Sequence, residues 1–145
     1  MNEPIVVEST IEASPERIWD ALTNQSTMVQ WYFEEIPAFQ PSVGFETSFV
    51  IENDGRTFTH RWCVTQVIPR ESISYTWRYD EYPTSDGSVT FELIPQTNRT
   101  LVRLTCEGIE TFPDDVPEFH RDSCLAGWEY FIKDRLKSFF ETPLN

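Results

Sequence analysis

The chain has 145 residues, 39% of them hydrophobic, and 24 Asp and Glu against 11 Lys and Arg give a formal net charge of −13. A surface this acidic repels phosphate backbones and anionic bilayers, which argues against nucleic acid and anionic membrane surfaces as partners. No apolar run approaches the ~20 residues of a membrane-spanning helix. The opening Met1-Asn2-Glu3-Pro4 lacks the basic and apolar parts of a signal peptide, so a cytoplasmic location without membrane insertion is expected.

The length suits a single domain over 1–145, and five Trp, five Tyr and eleven Phe supply large rings to bury. Cys63, Cys106 and Cys124 are far apart and form no C-x-x-C pair. They read as reduced thiols rather than ligands, so no metal site is expected, and no motif implies a cofactor. Asn24-Gln25-Ser26 and Asn98-Arg99-Thr100 match the glycosylation pattern, which a cytoplasmic chain leaves unmodified.

The elements follow in order. Ile5, Val7 and Ile11 alternate with Glu8, Thr10 and Glu12, a first strand. Ser14-Pro15-Glu16-Arg17 opens a short helix: Ser14 suits the N-cap, Pro15 the first helical position and Glu16 the helix dipole. A second short helix is predicted over 26–31. The segment 32–42, with Pro37 and Pro41, reads as a loop.

Strands then run in series, each alternating: Phe45, Thr47, Phe49 and Ile51; Phe58, His60, Trp62 and Val64; Ile73, Tyr75, Trp77 and Tyr79; Val89, Phe91 and Leu93; Val102, Leu104 and Cys106. Asn53-Asp54-Gly55 is a hairpin signal, and turns are predicted at Pro69-Arg70-Glu71, over 83–87 and over 96–99. Gly108, Pro113 and Pro117 lead into an amphipathic helix over 119–141, ended by Pro143. Leu125, Trp128, Ile132, Leu136 and Phe139 recur at spacings of three and four, and Phe131 and Phe140 widen the apolar face. Gly127, beside Trp128, would let the helix approach the sheet. The pattern is an α+β domain with helices on one face of an antiparallel sheet.

The stretch from Ala13 through Ser14-Pro15-Glu16-Arg17-Ile18-Trp19-Asp20-Ala21-Leu22-Thr23, followed by Trp31, resembles the opening of the START-like, helix-grip (SRPBCC) domains. The subgroup it is most similar to is the activator of heat-shock-protein ATPase homologue, or Aha-type, family. Pro41-Ser42-Val43-Gly44, Pro69 followed by Ile73-Ser74-Tyr75-Thr76-Trp77, and Gly127-Trp128 agree with it. The resemblance implies a curved six- or seven-stranded antiparallel sheet gripping the long helix, with a cavity between them. Its members include lipid and hormone carriers, polyketide aromatases and cyclases, and co-chaperones. The chaperone activators also carry a separate N-terminal domain, whereas this sequence opens directly on the helix-grip pattern.

The expected site is the aromatic lining of that cavity: Trp31, Phe49, His60, Trp62, Tyr75, Trp77, Phe91, Cys106 and Trp128. Apolar walls with a few polar groups suit a small hydrophobic molecule, in a space of roughly 300–1,000 Å³, with Tyr75, His60 and the Trp77 indole orienting a polar end. The same rings would also serve if they packed against one another and left no cavity. His60 is the only histidine in the predicted sheet, and its charge is easily shifted near neutral pH. Arg103 reads as an outward ion pair, and His120 as solvated. No G-x-S-x-G elbow, phosphate-binding glycine loop or H-E-x-x-H is present. Hydrophobic-ligand binding is therefore the leading expectation. A stress-response role as a co-chaperone-like activator of a chaperone ATPase, and a cyclase- or hydrolase-type enzyme using His60, Tyr75 or Arg103, are the alternatives. Either a monomer or a homodimer is compatible.

Overall fold

The computed structural model describes residues 3–141. Its frame is a six-stranded sheet: β1 Ile5–Ile11, β2 Glu46–Asn53, β3 Arg56–Ile68, β4 Ser72–Tyr79, β5 Tyr82–Gln96 and β6 Arg99–Glu107. Successive hairpins join β2 to β6, and β1 closes beside β6, giving the order β1-β6-β5-β4-β3-β2, antiparallel throughout. Alternation sorts the faces. Phe58, His60, Trp62 and Val64 are all buried, as are Ile73, Tyr75, Trp77 and Tyr79 on the next strand. Their neighbours Arg61 and Arg78 point outward into ion pairs with Asp80 and Asp86. Arg103 likewise pairs outward, with Glu8 at 2.6 Å.

Asp54 and Gly55 have φ of 52° and 79°, the two positive values that a tight two-residue hairpin turn requires. The turn predicted over 83–87 is displaced. The chain reverses at Asp80-Glu81, Tyr79 pairs with Tyr82, and Pro83 to Gly87 form the first part of β5. A register shift between Trp77 and Tyr79 absorbs these turn-like residues. Ser85 replaces lost ladder bonds: its hydroxyl accepts from the Tyr79 amide at 2.9 Å and donates to the Tyr82 carbonyl at 2.6 Å.

Helix α1 is Pro15–Thr23, with Ser14 Oγ accepting from the Arg17 amide as its N-cap. Helix α2 is Gln25–Trp31, capped by Asn24. The long helix α3 begins at Arg121, after a 3₁₀ turn at Pro117–Phe119. It runs through Arg121–Glu129, a π-helical segment Tyr130–Leu136 and Lys137–Glu141. Pro143 lies outside the described residues. No described helix is long and apolar enough to cross a membrane.

Two expectations for α3 are corrected. Leu125 is 36% exposed, whereas Trp128, Ile132 and Leu136 are buried. The inner face of the first turns runs through Cys124, Gly127 and Trp128, and Leu125 is turned ~100° from Cys124. Gly127 does not sit against the sheet either: a Cβ there would meet nothing within 4 Å.

Trp128 anchors α3, its ring centroid 5.2 Å from that of Trp77. Trp128→Ala should cost ~3 kcal/mol or more, the range for truncating a buried large ring. A urea denaturation midpoint equal to that of the parent protein would show that this contact does not hold the helix.

Candidate functional site

The space between sheet and α3 is filled from one side by the segment after α2. Tyr32 inserts its ring among the sheet aromatics. It stacks on Trp31 with centroids 4.5 Å apart and rings 2° from parallel, and lies 5.4 Å from Trp62 and 5.1 Å from Phe131. Its hydroxyl meets that of Tyr75 at 2.9 Å, so each buried phenol satisfies the other. Phe33 follows it inward, with Phe49, His60 and Phe131 all within 5.2 Å of its ring centroid. Trp31 itself is held by its indole N–H, which donates to the Ala21 carbonyl at 2.7 Å.

At the Phe33 end there remains a cleft of about 200 Å³, smaller than the expected cavity. Phe33, Trp77 and Phe131 wall it, α3 lays Ser123, Cys124, Gly127 and Trp128 along one side, and Tyr79, Phe112 and Cys106 close its floor. A second chamber of about 210 Å³ adjoins it, bordered by Phe58, Phe119 and Ile51, and shares Phe33, His60, Tyr79 and Glu118 with the first. Phe112 reaches the floor because two glycines clear its path. A Cβ on Gly87 would stand 2.8 Å from the Phe112 ring, and one on Gly108, at φ 84°, would stand 2.5 Å from the Asp86 carbonyl oxygen.

Of the nine residues expected to line a cavity, His60, Trp77, Cys106 and Trp128 border this cleft. Trp31, Phe49, Trp62, Tyr75 and Phe91 belong to the packed ring cluster; Trp62, for example, lies 4.8 Å from Tyr75 and 4.9 Å from Phe49. Two of the expected polar handles are already engaged. The Tyr75 hydroxyl is paired with Tyr32, and the Trp77 indole N–H donates to the Tyr79 hydroxyl at 2.6 Å. Phe33, Tyr79, Phe112, Cys124 and Phe131 on the cleft, and Tyr32 behind it, are among the site residues sequence reasoning missed. Tyr79 was legible as an inward position on β4; the loop pair Tyr32-Phe33 carried only a hint, two large rings beside each other in a segment otherwise read as a loop.

The cleft is electrostatically quiet. Burial lowers the His60 pKa to about 4, outweighing the Phe58 carbonyl that its Nδ1 contacts at 3.1 Å. Burial pushes the Cys106 thiol up to about 12 and Cys124 up to about 11, so neither is a thiolate near neutrality. Burial also raises the Tyr32, Tyr75 and Tyr79 phenols, which stay neutral. Glu118, at the rim, is held ionised by Arg56, whose Nε lies 2.8 Å from Oε1. Among the described residues no group of three or more His, Cys, Asp or Glu is placed to hold a metal ion.

The depressed His60 pKa has a stability consequence. The unfolded chain binds this proton below about pH 6.5 and the folded chain only below about 4, so stability rises with pH across that window and is lost as pH falls through it. The loss attributable to His60 should reach ~3 kcal/mol. Urea titrations at pH 7 and pH 4.5 should converge markedly in His60→Phe. An equally steep loss in that variant would assign the acid sensitivity to carboxylates.

Comparison with solved structures places this fold among known ones. Protein CV1439 from Chromobacterium violaceum superposes with a TM-score of 0.81 at 22% identity, covering 99% of this chain and 100% of that one. Protein MLL2253 from Mesorhizobium loti gives 0.74 at 29% identity, over 98% and 100%. The Aha1 dimer from Colwellia psychrerythraea gives 0.75 at 23%, over 97% of each chain. No curated protein matches. The model of one family, Activator of Hsp90 ATPase homolog 1-like protein, matches residues 12–141. With nearly the whole chain matched and the helix-grip architecture in place, this protein belongs to the Activator of Hsp90 ATPase homolog 1-like protein family.

Proposed function

We propose that the protein binds a small, largely apolar molecule in the cleft between β3, β4 and α3. The observation that carries this reading is Gly127. A glycine inside a helix costs ~1 kcal/mol relative to alanine, and a Cβ here would meet nothing within 4 Å, so packing does not demand it. Its absent side chain keeps the cleft open beside Trp128. Stability given up at a position that borders a hollow is the pattern of a site kept clear for an occupant.

The family's name supplies a second reading, a co-chaperone-like partner of a chaperone ATPase. That activity would reside on the outer surface, and it is separable from the first because occluding the cleft would leave it intact. A cyclase- or hydrolase-type enzyme has less support, since neutral thiols and a neutral histidine offer no activated nucleophile. The dimer of the Colwellia relative makes a homodimer the assembly to seek by sedimentation.

Gly127→Ala should raise stability by ~0.5–1 kcal/mol, and Gly127→Leu should stay folded while filling the cleft. Toluene, followed by tryptophan fluorescence, should bind the parent protein and lose its effect in Gly127→Leu. Equal responses in the two proteins would remove the cleft as the binding site, and a chaperone ATPase stimulated equally by both would favour the second reading.

A further inference from the structure

The polar atoms facing the cleft identify what kind of molecule suits it. His60 Nδ1 lies 3.1 Å from the Phe58 carbonyl oxygen. A carbonyl only accepts, so Nδ1 carries the ring proton and Nε2 presents a lone pair. Among the described residues nothing hydrogen-bonds to Nε2. It is not sealed away either: the fully covered, unpartnered side-chain nitrogen among the described residues is Trp62 Nε1. His60 borders both chambers, and its Nε2 is an unused acceptor that is not fully covered. Tyr79 borders the same two chambers, its ring centroid 4.8 Å from that of His60. Its hydroxyl oxygen already accepts from Trp77, which leaves its own proton to donate. An acceptor and a donor thus stand side by side in an aromatic setting.

We propose that the occupant is a single aromatic ring bearing a neutral hydroxyl, which donates to His60 Nε2 and accepts from Tyr79. This rests on the cleft being the binding site. Size agrees: an apolar void of about 150 Å³ accommodates one benzene ring, and the cleft is about 200 Å³. Charge agrees as well. No Lys or Arg borders either chamber, and Glu118, which borders both, already occupies Arg56, so a carboxylate would find no free counter-charge. An ammonium could not accept from Tyr79.

The test is calorimetric titration at pH 7.5 with p-cresol, toluene and 4-methylbenzoate. Toluene leaves water more readily than cresol, so apolar burial alone favours toluene. The expectation is the reverse: p-cresol binds about tenfold tighter than toluene, the size of a net hydrogen bond or two, and 4-methylbenzoate binds weakest. In His60→Phe, which keeps the ring stacked on Phe49, the affinity for p-cresol should fall to that for toluene. Equal affinities for p-cresol and toluene in the parent protein, or a preference for 4-methylbenzoate, would overturn the hydroxyl assignment and leave the cleft as a binding site. Absence of binding by all three, or heats unchanged in Gly127→Leu, would overturn both.

Discussion

The interior of this protein depends on Tyr32 being inserted between the sheet and the long helix. Its ring contacts both: Trp62 and Phe91 on the strands, Trp128 and Phe131 on α3. A phenol driven that deep must find a hydrogen-bond partner or bear the cost of desolvating its hydroxyl. The Tyr75 hydroxyl at 2.9 Å provides it and, by the same contact, fixes how far the loop enters. A curved sheet and an aromatic helix face would otherwise enclose a hollow along their whole length. With Tyr32 and Phe33 in place, the aromatic-lined hollow is confined to the Phe33 end, while a more polar cleft of about 510 Å³ lies at the far end of α3 beside Thr10, Arg99 and Lys137.

That end is shaped by backbone as much as by side chains. The register shift between Trp77 and Tyr79 turns the end of β4, and the Ser85 hydroxyl supplies the bonds the ladder gives up there. Gly87 and Gly108 let the chain after β6 cross closely enough for Phe112 to form a floor. On the opposite wall Gly127 withholds a side chain where the helix would otherwise crowd the space. On the proposed reading, these irregularities serve one end: they leave His60 Nε2 and the Tyr79 hydroxyl free for an entering molecule, with Ser123, Asn53 and Glu118 also on the lining.

The sheet was legible because its inward face is written with period two, and on β3 and β4 a slip in register would have exposed a tryptophan. Hairpins at Asn53-Asp54-Gly55 and the Ser14 cap were equally local signals. The turn assigned to 83–87 failed because Pro, Ser, Asp and Gly also serve a bulged strand, and composition does not separate the two uses. Leu125 was misplaced because spacing fixes a stripe only to within a residue, and the stripe's centre is set by tertiary packing. Half of the site was hidden for a similar reason. Tyr32 and Phe33 lie in a loop without period, so no pattern says which way their rings point. Nor does a strand position tell whether an inward donor such as the Trp77 indole is already spent on a neighbour.

The packing of Tyr32 in the middle of the interior leaves the aromatic-lined space at the Gly127 end. Xenon, a chemically indifferent filler of apolar voids, tests it directly in a crystal under pressure. Xenon is expected beside Gly127, Trp77 and Trp128, with none between Trp31, Trp62 and Phe91. Xenon seated behind Tyr32 among those three rings, or absent from the Gly127 cleft, would contradict it.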